Sequence, residues 1–196
     1  MKHSHAFSGF ILFTLLLAAA SSCVQISDPT AGSSVPTTHS TNFAPTDAEA
    51  IAGTLALTVS TVSLSGEFSP RNIAVLWVED DTGAFVKTLG VWAAKRIGYL
   101  DSWIESQENS DTDGITGATR PNHDATLEVT WDGTNTAGTK MLKDSYLLRG
   151  ELTDHNGAGE TFSVSIDLSG GVAVDPAAVT TFVGFPSIDA NFTITP

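Results

Sequence analysis

The chain has 196 residues and a net charge of −13. That length suits one ordinary domain once a targeting segment is removed. A surface this acidic repels nucleic-acid phosphates and anionic lipid headgroups, so we exclude both as binding partners. The single cysteine, Cys23, excludes a disulfide framework and a cysteine-based metal site.

Residues 1–22 predict a signal peptide. Lys2 supplies the positive charge near the start, and residues 10–20 form a short apolar stretch. That stretch is too short to span a bilayer, and no stop-transfer pattern follows it. Cleavage removes Lys2 alone among the Lys, Arg, Asp and Glu residues. The mature chain then keeps 8 basic and 22 acidic residues, which gives a charge of about −14.

Cys23 predicts a lipid anchor. The preceding Ala20-Ser21-Ser22 resembles a bacterial lipobox, in which the cysteine becomes the lipidated first residue of the mature protein. The alternative is ordinary cleavage after Ala20 or Ser22, which leaves a free cysteine. Residues 23–50 are rich in Ser, Thr and Pro and poor in large apolar side chains. They predict a tether without a packed core, followed by a folded domain over 51–196.

Strand patterns fill most of this domain. Leu55, Leu57 and Val59 alternate with polar residues and predict a strand over 53–62. Residues 72–78 are apolar on both faces, which is typical of a central strand. Further strands are predicted over 84–89, 125–131, 144–153, 160–168 and 187–195.

Dense turn signals, such as Asp132-Gly133 and Asn156-Gly157, separate the predicted strands. About seven strands with one inserted helix favour a mostly β fold. We predict an immunoglobulin-like antiparallel β-sandwich.

The inserted helix is predicted over 97–107. Leu100, Trp103, Ile104 and Gln107 recur at the spacing of one helical face. A polar loop is expected to follow this helix.

The four tryptophans divide into two groups. Trp77 and Trp131 occupy predicted strand positions and are expected in the core, where tryptophan mostly serves packing. Trp92 and Trp103 lie near the predicted helix and are the better candidates for stacking on a ligand. His123 and His155 lie in turn contexts without metal-like spacing, so both are expected to be exposed.

Several segments resemble, in the same order, a bacterial family of predicted periplasmic proteins known only as a domain of unknown function. They are Trp77-Val78-Glu79-Asp80, the stretch 83–92, Tyr99-Leu100, the stretch 116–120 and Trp131-Asp132-Gly133. The resemblance covers roughly residues 55–168 and implies an exported domain. The segment 131–152 also resembles the immunoglobulin-like domain of flagellar hook-capping proteins, which agrees with the sandwich.

A second resemblance concerns Asp113, Thr116, Gly117, Ala118 and Thr119. The pattern Asp-x-x-Ser/Thr-Gly-Ala-Ser/Thr is similar to the acceptor site of proteins that carry FMN through a phosphoester on the last hydroxyl. The FMN-bearing subunits of sodium-pumping quinone reductases are an example. The resemblance implies covalent FMN on Thr119, with small residues beside it that let the backbone approach the nucleotide closely.

Covalent FMN on an exported protein implies electron transfer outside the cytoplasm. A flavin transferase would attach the cofactor, and a membrane or periplasmic redox protein would exchange electrons with it. The alternative function is a non-catalytic immunoglobulin-like module of the cell envelope that binds a protein or a glycan.

Two other interpretations of the same segment stay open. Gly117 could serve a turn closed by Arg120-Pro121. Asn109, Asp111, Asp113 and Gly114 also match the start of a calcium loop, although Arg120 stands where the bidentate Glu belongs. The sequence contains no nucleophile elbow, phosphate loop or dinucleotide fingerprint, so a self-contained hydrolase is not expected.

Overall fold

The strands form two sheets that pack face to face. The computed structural model describes residues 49–107, 115–170 and 182–195. The strands in these ranges are β1 (Gly53–Ser60), β2 (Ile73–Asp80), β3 (Phe85–Trp92), β4 (Ile115–Gly117), β5 (Leu127–Trp131), β6 (Ser145–Thr153), β7 (Glu160–Asp167) and β8 (Ser187–Ile194). One sheet has the order β5-β1-β8 and the other β4-β3-β2-β6-β7. The predicted mostly β sandwich is confirmed.

The strand order is immunoglobulin-like. The arrangement β5-β1 opposite β7-β6-β2-β3 corresponds to strands E-B opposite G-F-C-C′ of that fold. The last strand, β8, pairs with β1 and takes the place that strand A usually fills. All these pairs are antiparallel, whereas the short β4 pairs in parallel with β3.

Tyr146 forms the corner contact that is typical of the immunoglobulin fold. It lies near the start of β6, the counterpart of strand F, and its hydroxyl donates to the Leu142 carbonyl at 2.5 Å. Its ring meets Trp131 edge to face, with centroids 5.1 Å apart. Burial, with help from nearby carboxylates such as Asp144, raises the pKa of Tyr146 to about 12, so the hydroxyl stays a donor.

β2 is buried on both faces, as its sequence predicts. Ala74, Leu76 and Val78 face the core between the sheets, together with the inward residues of β1. Ile73, Val75 and Trp77 face outward, into a second apolar cluster. The central position of β2, between β3 and β6, explains why both sets of side chains need cover.

The second cluster is covered by the segment that follows β3. The predicted single helix over 97–107 is wrong in its extent. The structure has a 3-10 turn over Ile97–Tyr99 and then the helix α1, Asp101–Ser106. Leu100 has φ −90° and ψ 68°, outside the helical region, and this backbone separates the two elements. Leu100 and Trp103 are buried, whereas Ile104 is exposed.

The Glu151 carboxylate holds α1 against the sheet. It accepts the backbone N–H of Trp103 at 3.1 Å and that of Gly159 at 3.3 Å, and the residue is fully buried. Burial raises the pKa of Glu151, and the backbone hydrogen bonds only partly oppose that rise.

The expected polar loop around the Thr-Gly-Ala-Thr segment is also wrong in part, because Ile115–Gly117 is the strand β4. Its backbone pairs with β3, matching Ile115 to Val91 and Gly117 to Trp92, and thereby occupies the edge of the larger sheet.

The predicted signal peptide, Cys23 and the tether as far as residue 48 lie outside the described residues. No described helix has the length and apolar character needed to cross a membrane.

Substituting Glu151→Gln should change how stability depends on pH. A raised folded-state pKa means that the stabilising contribution of Glu151 is complete below the unfolded-chain pKa of about 4.3. It is lost as pH rises through the folded pKa. Urea unfolding across pH 4 to 8 should therefore show a flatter decline for Glu151→Gln than for the wild type. Exposed Glu128→Gln is the control, and parallel curves for all three proteins would refute the assignment.

Tyr146→Phe should cost about 1 kcal/mol of unfolding free energy, because it removes the corner hydrogen bond and keeps the ring contact with Trp131. Urea denaturation measures the loss. Tyr99→Phe, at a tyrosine that is 37% exposed, should change nothing measurable. Equal effects of the two substitutions would show that the corner contact does not stabilise the fold.

Candidate functional site

Several loops meet at one end of the sandwich. β3 and β6 finish at this end and β2 begins there, as shown by the pairing of Ile73 with Thr153 and of Ala74 with Trp92. β1 finishes there too, because Thr61, just after it, and Asn72, just before β2, both bind the Arg120 guanidinium. In immunoglobulin variable domains the loops of the corresponding end bind antigen. We call this end of the domain the loop end.

Asp154 fixes the loop between β1 and β2. Its carboxylate is fully buried and accepts the backbone N–H groups of Leu64 and Gly66, both at 3.0 Å. Its carbonyl accepts the N–H of Phe68 at 2.9 Å. A side chain at position 66 would place its Cβ 2.1 Å from the carboxylate, so glycine is needed there. These contacts set the position of Phe68.

Arg120, the residue that follows Thr119, is held in place by backbone and side-chain hydrogen bonds. Its backbone pairs with that of Asn72, with N–O distances of 2.9 and 3.1 Å. Its guanidinium donates to Thr61 Oγ1 at 2.8 Å, to Asn72 Oδ1 at 3.0 Å and to the Ala125 carbonyl. Burial lowers the pKa of Arg120. The segment that carries Thr119 is therefore pinned to the start of β2.

His123 completes this polar network and is half-buried, so the expectation of an exposed loop histidine is wrong. Its Nε2 lies 3.2 Å from Asn72 Nδ2 and its Nδ1 lies 3.0 Å from Thr61 Oγ1. The Asn72 amide nitrogen also donates to the Asn122 carbonyl at 3.0 Å, and a neutral His123 can accept its other hydrogen at Nε2. Burial and the nearby Arg120 cation lower the pKa of His123.

Thr119 lines an open pocket at the loop end, with a volume of about 510 Å³. The residues that form this loop-end pocket are Phe68, Arg71, Ala94, Lys95, Arg96, Thr119 and Pro121. Sites for small molecules and cofactors typically have 300 to 1,000 Å³. The pocket thus has the size of a cofactor site, three cations and several apolar contacts.

Arg96 is the best-fixed cation of the loop-end pocket. Its Cζ lies 4.1 Å from the centre of the Phe68 ring, a cation–π contact. Nη2 donates to the His155 carbonyl, whereas Nε is buried and has no hydrogen-bond partner among the described residues. Burial lowers the pKa of Arg96, and the carboxylates of Asp154 and Glu67 oppose this shift. Arg96 thus offers a localised positive charge.

The structure describes four of the five residues of the predicted acceptor motif. Asp113 lies outside the described residues, and Thr116 contributes its backbone to β4. Gly117 and Ala118 are exposed, and Thr119 is half-buried. Gly117 has φ +129° and open space where a Cβ would stand, so its backbone conformation is what favours glycine there. That requirement also fits the alternative in which Gly117 serves a turn.

The structure confirms the predictions for the two core tryptophans and contradicts the prediction for Trp103. Trp77 and Trp131 are core residues, as predicted. Trp103 is only 4% exposed and its indole N–H donates to Thr88 Oγ1 at 2.9 Å, so the prediction of ligand stacking there is wrong. Trp92 is half-buried against the core between the sheets. The loop-end pocket is lined by Phe68 instead.

Sequence reasoning missed the cations of the pocket, Arg71, Lys95 and Arg96. A signal was present, because they are three of the few basic residues in a strongly acidic chain and lie just before β2 or just after β3.

The calcium interpretation gains nothing from the structure. Its first ligand positions lie outside the described residues, and Arg120 belongs to the polar network. The described residues contain no cluster of metal ligands.

His123 should make the domain less stable in acid. Its folded-state pKa lies below the unfolded value of about 6.5, so its contribution is present above that pH and is lost as pH falls through the folded pKa. Protonated Nε2 would also face the Asn72 amide donor. Thermal unfolding between pH 7.5 and 5 should show a weaker pH dependence for His123→Gln. His155→Gln, whose side chain is 45% exposed, is the matched control, and an equal flattening there would contradict the prediction.

A comparison with known families places this domain. The family model described as predicted periplasmic protein (DUF2271) matches residues 54–181, a range that includes every residue lining the loop-end pocket. No curated protein and no solved structure matches the chain. The resemblance to hook-capping proteins is therefore left without a matching structure, whereas the first family resemblance is confirmed. The chain belongs to the DUF2271 family of predicted periplasmic proteins, which places its domain outside the cytoplasm.

Proposed function

We propose that this protein carries FMN through a phosphoester on Thr119 and transfers electrons outside the cytoplasm. One observation carries the proposal: Thr119, the last hydroxyl of the acceptor-like motif, lines a pocket with Arg71, Lys95 and Arg96. The motif and the pocket are independent signals, because one comes from adjacent residues and the other from distant loops. Their coincidence at one hydroxyl favours a function for Thr119.

The charge distribution fits an FMN ester at this position. The chain as a whole has a net charge of −13 and repels anions. The loop-end pocket is a local exception, and a phosphodiester retains one negative charge that these cations would stabilise. The pocket offers cations for a phosphate and apolar side chains for a ring.

Attachment requires a flavin transferase and a flavin dinucleotide as donor. The Thr119 hydroxyl attacks the phosphorus of the FMN half and loses its proton to a base of the transferase. The phosphoanhydride bond breaks, and the nucleoside monophosphate half leaves. Gly117 and Ala118 are exposed beside Thr119, so the segment presents little steric hindrance to the enzyme. The protein's own residues then orient the cofactor and tune its surroundings.

The predicted lipid anchor on Cys23 would keep such a carrier at the membrane. If fully extended, the predicted tether over residues 23–50 could reach at most about 95 Å. A membrane or a periplasmic redox protein would serve as the electron partner.

A second function has one observation in its favour. The pocket lies at the end of the sandwich whose loops bind antigen in immunoglobulin variable domains. A non-catalytic module of the cell envelope could use the same loops to bind a protein or a glycan. This module would need neither Thr119 nor a flavin.

The mass of the exported protein distinguishes the two functions. After co-expression with a flavin transferase, the denatured protein should gain the mass of one FMN less one water. Thr119→Ala should abolish this gain, Thr119→Ser should keep it, and Thr126→Ala, at a threonine outside the motif, should leave it unchanged. An unmodified wild-type protein, with the transferase active on a known acceptor, would refute the flavin proposal and leave the binding module.

A further inference from the structure

We infer that the loop-end pocket receives the isoalloxazine ring of the FMN and stabilises its reduced, anionic form. This inference rests on the proposed function for the covalent link to Thr119. It adds a second role for the same site, because a carrier could hold FMN by the ester alone with its ring in solvent. The shape, the apolar contacts and the cations of the pocket all suit this ring.

The apolar part of the pocket suits a flat aromatic ring. Phe68, Ala94 and Pro121 come from three different loops and contribute apolar surface to one volume of about 510 Å³. The backbone of Phe68 is held by its hydrogen bond to the Asp154 carbonyl, and Arg96 stacks on one face of its ring. A preformed apolar surface binds a planar ligand without the entropic cost of ordering the loop.

The cations of the pocket favour the reduced ring over the oxidised ring. If FMN is bound, two electrons from the redox partner and one proton from water would give the neutral oxidised ring one negative charge. The electrons would then pass to the next carrier, and the proton would return to water. A fixed cation attracts only the charged form, so Arg96, Lys95 and Arg71 should raise the reduction potential.

Arg96 is the cation whose effect should be largest. Arg71 and Lys95 are exposed, and solvent screens their charges. Arg96 is half-buried and stacks on Phe68, so its charge is held in one place and is screened less by solvent. Its guanidinium should therefore act more strongly on the reduced, anionic ring than the two exposed cations do.

The test is a redox titration of the flavinylated mature chain with dithionite, followed by absorbance. Arg96→Gln should lower the ratio of reduced to oxidised flavin at a fixed potential about tenfold, which is about 30 mV for a two-electron couple. Arg96→Lys keeps the charge and should recover part of the shift. Lys140→Gln removes an exposed cation from the loop after β5, at the opposite end of the sandwich, and should leave the potential unchanged. Circular dichroism confirms that each variant is folded.

The outcomes separate this inference from the proposed function. A normal mass gain with the same potential in Arg96→Gln, Lys140→Gln and the wild type would overturn the ring site and leave the ester intact. No mass gain in the wild type would refute the ester. In that case fluorescence quenching of free FMN by the unmodified chain tests the pocket alone. Quenching that is lost in Arg96→Gln supports a ring site without the tether, and absence of quenching overturns it.

Discussion

Both faces of β2 are apolar, and each face needs a different partner to exclude water. The inner face is covered by the three-stranded sheet, and the outer face is covered by α1 and the turn before it. After β3 the chain lies against the outside of the larger sheet as far as α1, and β4 takes the edge of that sheet beside β3. β3 ends at the loop end, and β4, which runs parallel to it, ends there as well. Ala94 to Arg96, after β3, and Thr119 and Pro121, after β4, consequently line the same pocket.

Hydrogen bonds of buried polar groups hold the loops at this end of the domain in one arrangement. Asp154 accepts backbone donors from one loop, and Arg120 joins Thr61, Asn72 and Ala125. Most of these partners are distant in the sequence, so the network pairs its members only when the loops are in their native arrangement. Removal of one member leaves the others buried without partners, which costs more than the hydrogen bond itself. The loop end is thus ordered by polar contacts, whereas the rest of the sandwich is ordered by apolar packing.

The strands could be predicted from the sequence because their signal is local. Leu55, Leu57 and Val59 alternate over few residues, and the pattern alone gives their buried face. β4 could not be predicted, since three residues are too few to show the alternation of a strand. The break at Leu100 could not be predicted either, because it depends on the packing of this segment against the outer face of the larger sheet. The loop-end pocket could not be predicted because Phe68, Arg96 and Thr119 become neighbours only through the strand order. The motif itself marked Thr119, although the structure alone revealed the cations beside it.

The pairing of Ala50 with Leu142 fixes where the polypeptide enters the domain. This point precedes β1, which rises about 25 Å through the sandwich before it reaches the loop end. The chain therefore enters the domain at the end of the sandwich opposite the loop-end pocket, so an attachment made upstream of residue 49 would join the domain at a distance from Thr119.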